Sequence, residues 1–265
     1  MRRKTADPML PRHPAEEPAW AAPHPVLLPE LLVPAVWARP LTPPRFGRPP
    51  RLWLARVEAL RDVVAPLAAS VLDSGERARA AALQSAADRD GYRVAHIGLR
   101  LLLGAYLGIE PSDVPLVRQP CPMCRAPHGR PAVPGADLCF SLSRSGGLCL
   151  LAFAATAVGA DIEQLPASDV VDDVGAMLHR REAAELAACP PERRPAAFAR
   201  AWTRKEAYLK GLGTGLGRDL RLDHLSTSPH APSQVPGWVI HDVAAGPGHA
   251  AAVAVAEAPP AERPR

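Results

Sequence analysis

WTRKEAYLKGLGTGL, residues 202–216, sets four charged side chains between a tryptophan and a run of glycines. Phe198, Trp202, Glu206 and Lys210 recur every fourth residue, which places them on one stripe of an α-helix. Two large aromatic side chains on that stripe turn it toward the interior or a cleft. Glu206 and Lys210 are then partly buried charges that need partners. The plainer alternative is an i, i+4 Glu–Lys staple on a solvated face, worth about 0.2–0.5 kcal/mol. Gly211, Gly213 and Gly215 come after the helix, so they read as its C-cap and a loop. A phosphate-cradling P-loop would instead precede a helix.

Working outward, VGADIE (158–163) reads as a strand, and its period of two puts Asp161 and Glu163 on the same face. Neighbouring carboxylates raise each other's pKa unless a cation lies between them. A third carboxylate from Glu206 would complete an oxygen set of the kind that holds magnesium. A solvent-facing edge strand is the bland alternative, although Val158 and Ile162 favour a strand inside a sheet.

The rest of the chain arranges itself around these two stretches. RLWLARV (51–57) reads as a strand with Leu52, Leu54 and Val57 turned inward, and residues 73–108 as two helices ending at Gly108. LCLLAFA (148–154), a short Ala-Thr-Ala link and VGADIE read as a hairpin, followed by a helix around 175–188. GWVIHDV (237–243) and HAAAVAVA (249–256) close the chain as two strands. Strand, helices, strand thus occurs twice. The chain therefore reads as two comparable halves over 51–157 and 158–256, without identical repeated words. Thirteen of the 32 prolines lie within the first fifty residues, so 1–50 reads as a disordered extension and 257–265 as a tail.

Composition narrows the function. The net charge of +4 suits an anionic small molecule or an acidic protein partner and falls short of a nucleic-acid footprint. No apolar run is long enough to span a membrane, and Pro29, Glu30 and Pro34 interrupt the one patch near the N-terminus that could imitate a signal peptide. A cytoplasmic protein with reduced thiols is expected. CPMCRAPH (121–128) offers Cys121, Cys124 and His128 in the spacing of part of a zinc site. With no second C-x-x-C to supply a fourth ligand, it reads as a loop carrying free thiols.

The D-x-E strand followed at the right separation by W-x-x-K-E-A-x-x-K-x-x-G-x-G-L resembles the 4′-phosphopantetheinyl transferases of the Sfp type. HGRPAV (128–133), FSLSRSGG (140–147) and LRLLLGAYLG (99–108) resemble further family segments. The resemblance covers roughly residues 50–256. It implies an α+β fold of two pseudo-symmetric halves that hold coenzyme A in a cleft between them, in a monomer. The reaction implied moves the phosphopantetheine arm of coenzyme A to a serine of an apo acyl or peptidyl carrier protein, releasing adenosine 3′,5′-bisphosphate. It further implies that Asp161, Glu163 and Glu206 hold Mg2+, with Glu206 also placed to take the serine proton. Lys210 would stabilise phosphate charge with Lys205 in support, and Arg79, Arg130, Ser143 and Arg144 would face phosphates.

Two positions depart from the family pattern. Arg144 stands where a histidine is usual, and Gly91 where an arginine is frequent. They motivate a rival reading, a non-catalytic homologue that binds a carrier protein or coenzyme A. Another nucleotide-diphosphate transferase is a third reading.

Overall fold

The computed structural model describes residues 26–230, 232 and 235–257. In the first half, β1 (Glu30–Leu31) and α1 (Pro34–Trp37) lead to β2 (Arg51–Arg56), followed by α2 (Val57–Val64), α3 (Ala68–Val71), α4 (Ser74–Ala82) and α5 (Ala86–Leu107). A small β3 (Val117–Arg118) and β4 (Pro131–Ala132) ladder precedes β5 (Cys139–Ser145) and β6 (Leu148–Ala154). The second half runs β7 (Val158–Gln164), α6 (Ser168–Gly175), α7 (Arg180–Ala188), α8 (Arg194–Leu212), β8 (Trp238–Asp242) and β9 (His249–Ala256).

The sheet orders are β1-β2-β6-β5 and β7-β9-β8. In both halves the first long strand pairs antiparallel with the last, and the last two form a hairpin. The expected α+β architecture of two pseudo-symmetric halves is therefore what the chain adopts.

Alternation along the strands explains the layering. On β2, Trp53 and Ala55 join α5 in one core, while Leu52 and Leu54 face the other way. On β9, Ala252 and Ala254 pack with Ala207 and Leu209 of α8, while Ala251 and Val253 point oppositely. The inward faces meet in a shared core of Leu52, Leu54, Leu150, Val158, Ile162 and Val253. The layers run helix, sheet, sheet, helix, so neither half closes its core alone.

Three expectations fail. The strand 148–154 and VGADIE are not a hairpin: β2 and β5 occupy both edges of β6, and β7 pairs with β9 instead. Val57 opens α2 rather than extending β2. The supposed extension contributes real structure from residue 27. Leu27 bonds to Asp242 and Ala244, β1 adds a parallel strand to β2, and Leu32 and Val36 are buried in the first core. Prolines 29 and 34 fit this strap because one lies outside the ladder and the other begins α1. Residues 1–25 and 258–265 lie outside the described residues.

Candidate active site

The site sits where the two sheets meet edge to edge. Successive same-face serines on β5 meet β7: Ser141 Oγ accepts from the Ala160 amide (3.0 Å) and Ser145 Oγ from the Gln164 amide (3.1 Å). Between them Ser143 donates to Asp161 Oδ1 at 2.7 Å. The hydroxyls thus satisfy an edge of β7 that would otherwise be unpaired.

Helix α8 crosses β7 on its other side. The approach is so close that a Cβ on Gly159 would lie 1.9 Å from the Ala207 carbonyl oxygen. Only glycine permits that crossing. It brings Lys210 Nζ to 2.6 Å from Asp161 Oδ1 and 3.0 Å from Ser143 Oγ. Glu206, one turn earlier, shares the wall with Asp161 and Glu163.

The electrostatics are those of crowded carboxylates. Burial pushes Asp161 up, with the Lys210 ammonium and the Ser143 hydroxyl pulling against it. Burial and then the Asp161 charge raise Glu163. Glu206 is raised by burial, by Asp161 and by Glu163, with Lys210 opposing. Asp161 Oδ2 and Glu206 Oε1 are buried with no hydrogen-bond partner. Buried acceptors left in this way normally have a ligand to meet. Two orphan oxygens among three mutually repelling carboxylates fit a hard divalent cation. The three carboxylates do not bring one oxygen each to within 4.8 Å of the others, and Lys210 sets one positive charge against Asp161.

Beside this wall an open cleft of about 950 Å³ runs between the halves, lined by Arg56, Asp88, Gly91, Arg144, Gly147 and His249 among others. A Cβ on Gly91 would lie 3.5 Å from Arg144 Nη1, so the guanidinium occupies the space in front of this glycine. Gly91 and Arg144 thus adjoin one another on the cleft. Arg144 brings its charge to the cleft from β5, and Gly91 faces it from α5 without a side chain.

The remaining expected residues fall elsewhere. Ser143 hydrogen-bonds Asp161 and Lys210 in the carboxylate cluster. Arg130 donates to the Gly211 carbonyl at 3.0 Å, capping the C-terminal end of α8. Arg79 is exposed on α4 and does not line the cleft. Lys205 points elsewhere. It is wholly buried, 3.1 Å from Glu182 and donating to the Asp223 carbonyl, because one residue's rotation along α8 carries it away from Glu206.

Two positioning features escaped the sequence reading. Gly159 carried a readable signal, since glycine inside a strand marks close backbone approach. Arg204 did not: its fork on Asp242, two bonds of 2.7 Å, joins residues far apart in the chain.

Residues 157–244 match the family described as the 4′-phosphopantetheinyl transferase superfamily. The chain is 32% identical over 213 residues to the 4′-phosphopantetheinyl transferase HetI of Nostoc sp., spanning 77% of this chain and 86% of that protein. It is 40% identical over 109 residues to the 4′-phosphopantetheinyl transferase AcpT of Salmonella typhi, spanning 40% of this chain and 56% of that protein.

Proposed function

The chain belongs to the 4′-phosphopantetheinyl transferase superfamily, and on that premise we propose that it is a magnesium-dependent transferase of the Sfp type. It moves the 4′-phosphopantetheine arm of coenzyme A to a serine hydroxyl of an apo acyl or peptidyl carrier protein and acts as a cytoplasmic monomer. The observation that carries the reading is the pair of buried, unpartnered oxygens, Asp161 Oδ2 and Glu206 Oε1, on a wall that also holds Lys210.

Asp161, Glu163 and Glu206 would hold the magnesium ion, which supplies charge neutralisation to a pyrophosphate. Glu206, its pKa raised by burial and by its acidic neighbours, is suited to accept the serine proton. The serine Oγ forms a bond to the pantetheine-side phosphorus as the bond from that phosphorus to the bridging oxygen breaks. The electron pair leaves with adenosine 3′,5′-bisphosphate. Lys210 provides positive charge for the phosphoryl oxygens, and Ser143 fixes both Lys210 and Asp161. The chemistry needs alignment and charge rather than a covalent intermediate on the protein. Arg144 offers the cleft a forked phosphate donor.

Intact-mass spectrometry of an apo carrier protein incubated with this protein, magnesium and coenzyme A tests the reading. The expected result is a gain of one phosphopantetheine that disappears with a chelator. Coenzyme A binding with no mass gain across several carriers would replace the proposal with the non-catalytic reading.

A further inference from the structure

Away from the cleft, the loop between β3 and β4 gathers three metal-ligating side chains. The ligand atoms of Cys121, Cys124 and His128 all lie within 4.8 Å of one another, and Cys124 Sγ is 2.9 Å from His128 Nε2. Around them the backbone forms a tight knuckle. Arg125 N donates to Cys121 O, Cys121 N to Ala126 O and Gly129 N to Gln119 O, each at 2.8 Å. Arg125 takes φ = 65°, a left-handed conformation costing a non-glycine residue about 1–2 kcal/mol.

Of the three ligands only Cys121 is buried. Residues 122–128 are all exposed, and the ladder beneath has two residue pairs, too few to be stable alone. A loop that keeps a strained turn with so little of it buried needs another constraint.

We propose that Cys121, Cys124 and His128 bind a zinc ion, with water in the fourth tetrahedral position on the exposed side. At usual Zn–S and Zn–N lengths the ligand atoms stand roughly 3.5–3.8 Å apart, a small spreading of the Cys124–His128 contact. Two thiolates and an imidazole select zinc over the hard cations suited to the carboxylate wall. Binding releases both thiol protons to solvent and takes the imidazole neutral. Hydrogen bonds from the backbone N–H groups of Cys124 and Met123 already lower the Cys121 thiol. The ion would fasten the loop immediately before Gly129 and Arg130, and so hold the Arg130 guanidinium on the end of α8. This site stands whether or not the chain is a transferase.

The test uses the full-length chain freed of any affinity tag, with metal content measured by plasma mass spectrometry. About one zinc per chain is expected, retained in Cys189→Ser and lost in Cys124→Ser and in His128→Ala. Because a variant could lose zinc by misfolding, the wild-type protein is also stripped with chelator, checked by circular dichroism and titrated with Co2+. Thiolate-to-cobalt charge transfer and tetrahedral d–d bands, displaced by one equivalent of zinc, support the proposal. A folded protein with neither zinc nor cobalt bands overturns it. So does a Cys121–Cys124 disulfide in the freshly purified chain, or zinc retained in both ligand variants.

Discussion

At the scale of the residue, Glu206 is held in a state that folding alone would avoid. One carboxylate oxygen is buried without a partner, and two more carboxylates stand on the same wall. Glu206→Gln removes the charge, the proton acceptor and the repulsion together. Transfer should fall by ~10²–10⁴-fold on loss of the base, while Tm stays level or rises. Thermal unfolding alongside the mass assay checks both, and near-normal turnover would remove Glu206 from the mechanism. Arg144 and Gly91 invite a paired test, because the guanidinium lies in van der Waals contact with the place a Gly91 Cβ would take, where a longer side chain would meet it. Arg144→His should keep kcat and raise KM for coenzyme A several-fold, on the order of 1 kcal/mol for a weakened charged hydrogen bond. Gly91→Arg alone should be harmful by crowding Arg144, yet adding it to Arg144→His should recover the lost affinity. Simple additivity of the two changes in KM would show that the residues act independently.

At the scale of the element, α8 shows how far the sequence could be read. The stripe of Phe198, Trp202, Glu206 and Lys210 and the stop at Gly213 were legible, since period and cap chemistry are local. The opposite face was not. Arg204 and Lys205 look like solvated cations until Asp242 and Glu182, distant in the chain, come to meet them. VGADIE was legible as a strand, but its partner was not, because adjacency in sequence favoured β6 and only the filled edges of β6 exclude it. The strap at 27–36 was obscured by its prolines, whose composition outweighed Leu32 and Val36. The burial of Lys205 against Glu182 sets up a test between a structural lysine and one that binds coenzyme A. Lys205→Met leaves Glu182 charged and uncompensated, a loss of about 3–5 kcal/mol. Urea unfolding should show that loss, while KM for coenzyme A of the folded fraction stays unchanged. Normal stability with a raised KM would return Lys205 to the site.

At the scale of the whole molecule, the halves repeat more than their strand order. Each has a capping-box glutamate, Glu76 on α4 and Glu182 on α7, buried against a cation on the next long helix, Arg100 or Lys205. Each long helix ends at a left-handed glycine, Gly108 or Gly213. The chemistry is not repeated. Leu101 follows Arg100 where Glu206 follows Lys205, and apolar Trp53 and Ala55 occupy the α5-facing side of β2 where Asp161 occupies the α8-facing side of β7. One seam therefore carries all three carboxylates, and the shared core between the sheets makes their repulsion a burden on the entire fold. The sign follows from linkage. A carboxyl with a raised pKa binds more protons folded than unfolded, so its contribution to stability is fully present below the ordinary carboxylate range and lost as pH rises through the raised value. A divalent cation bound only by the folded chain reverses that loss. Magnesium at about 10 mM should raise Tm at pH 8 by ~2–4 °C, and the gain should shrink toward zero as pH falls to about 4 and the carboxylates take up protons. Thermal scans with and without magnesium across that range measure it, with Asp161→Asn as the control expected to abolish the gain at pH 8. A gain that is independent of pH, or that survives in Asp161→Asn, would place the cation somewhere other than this seam.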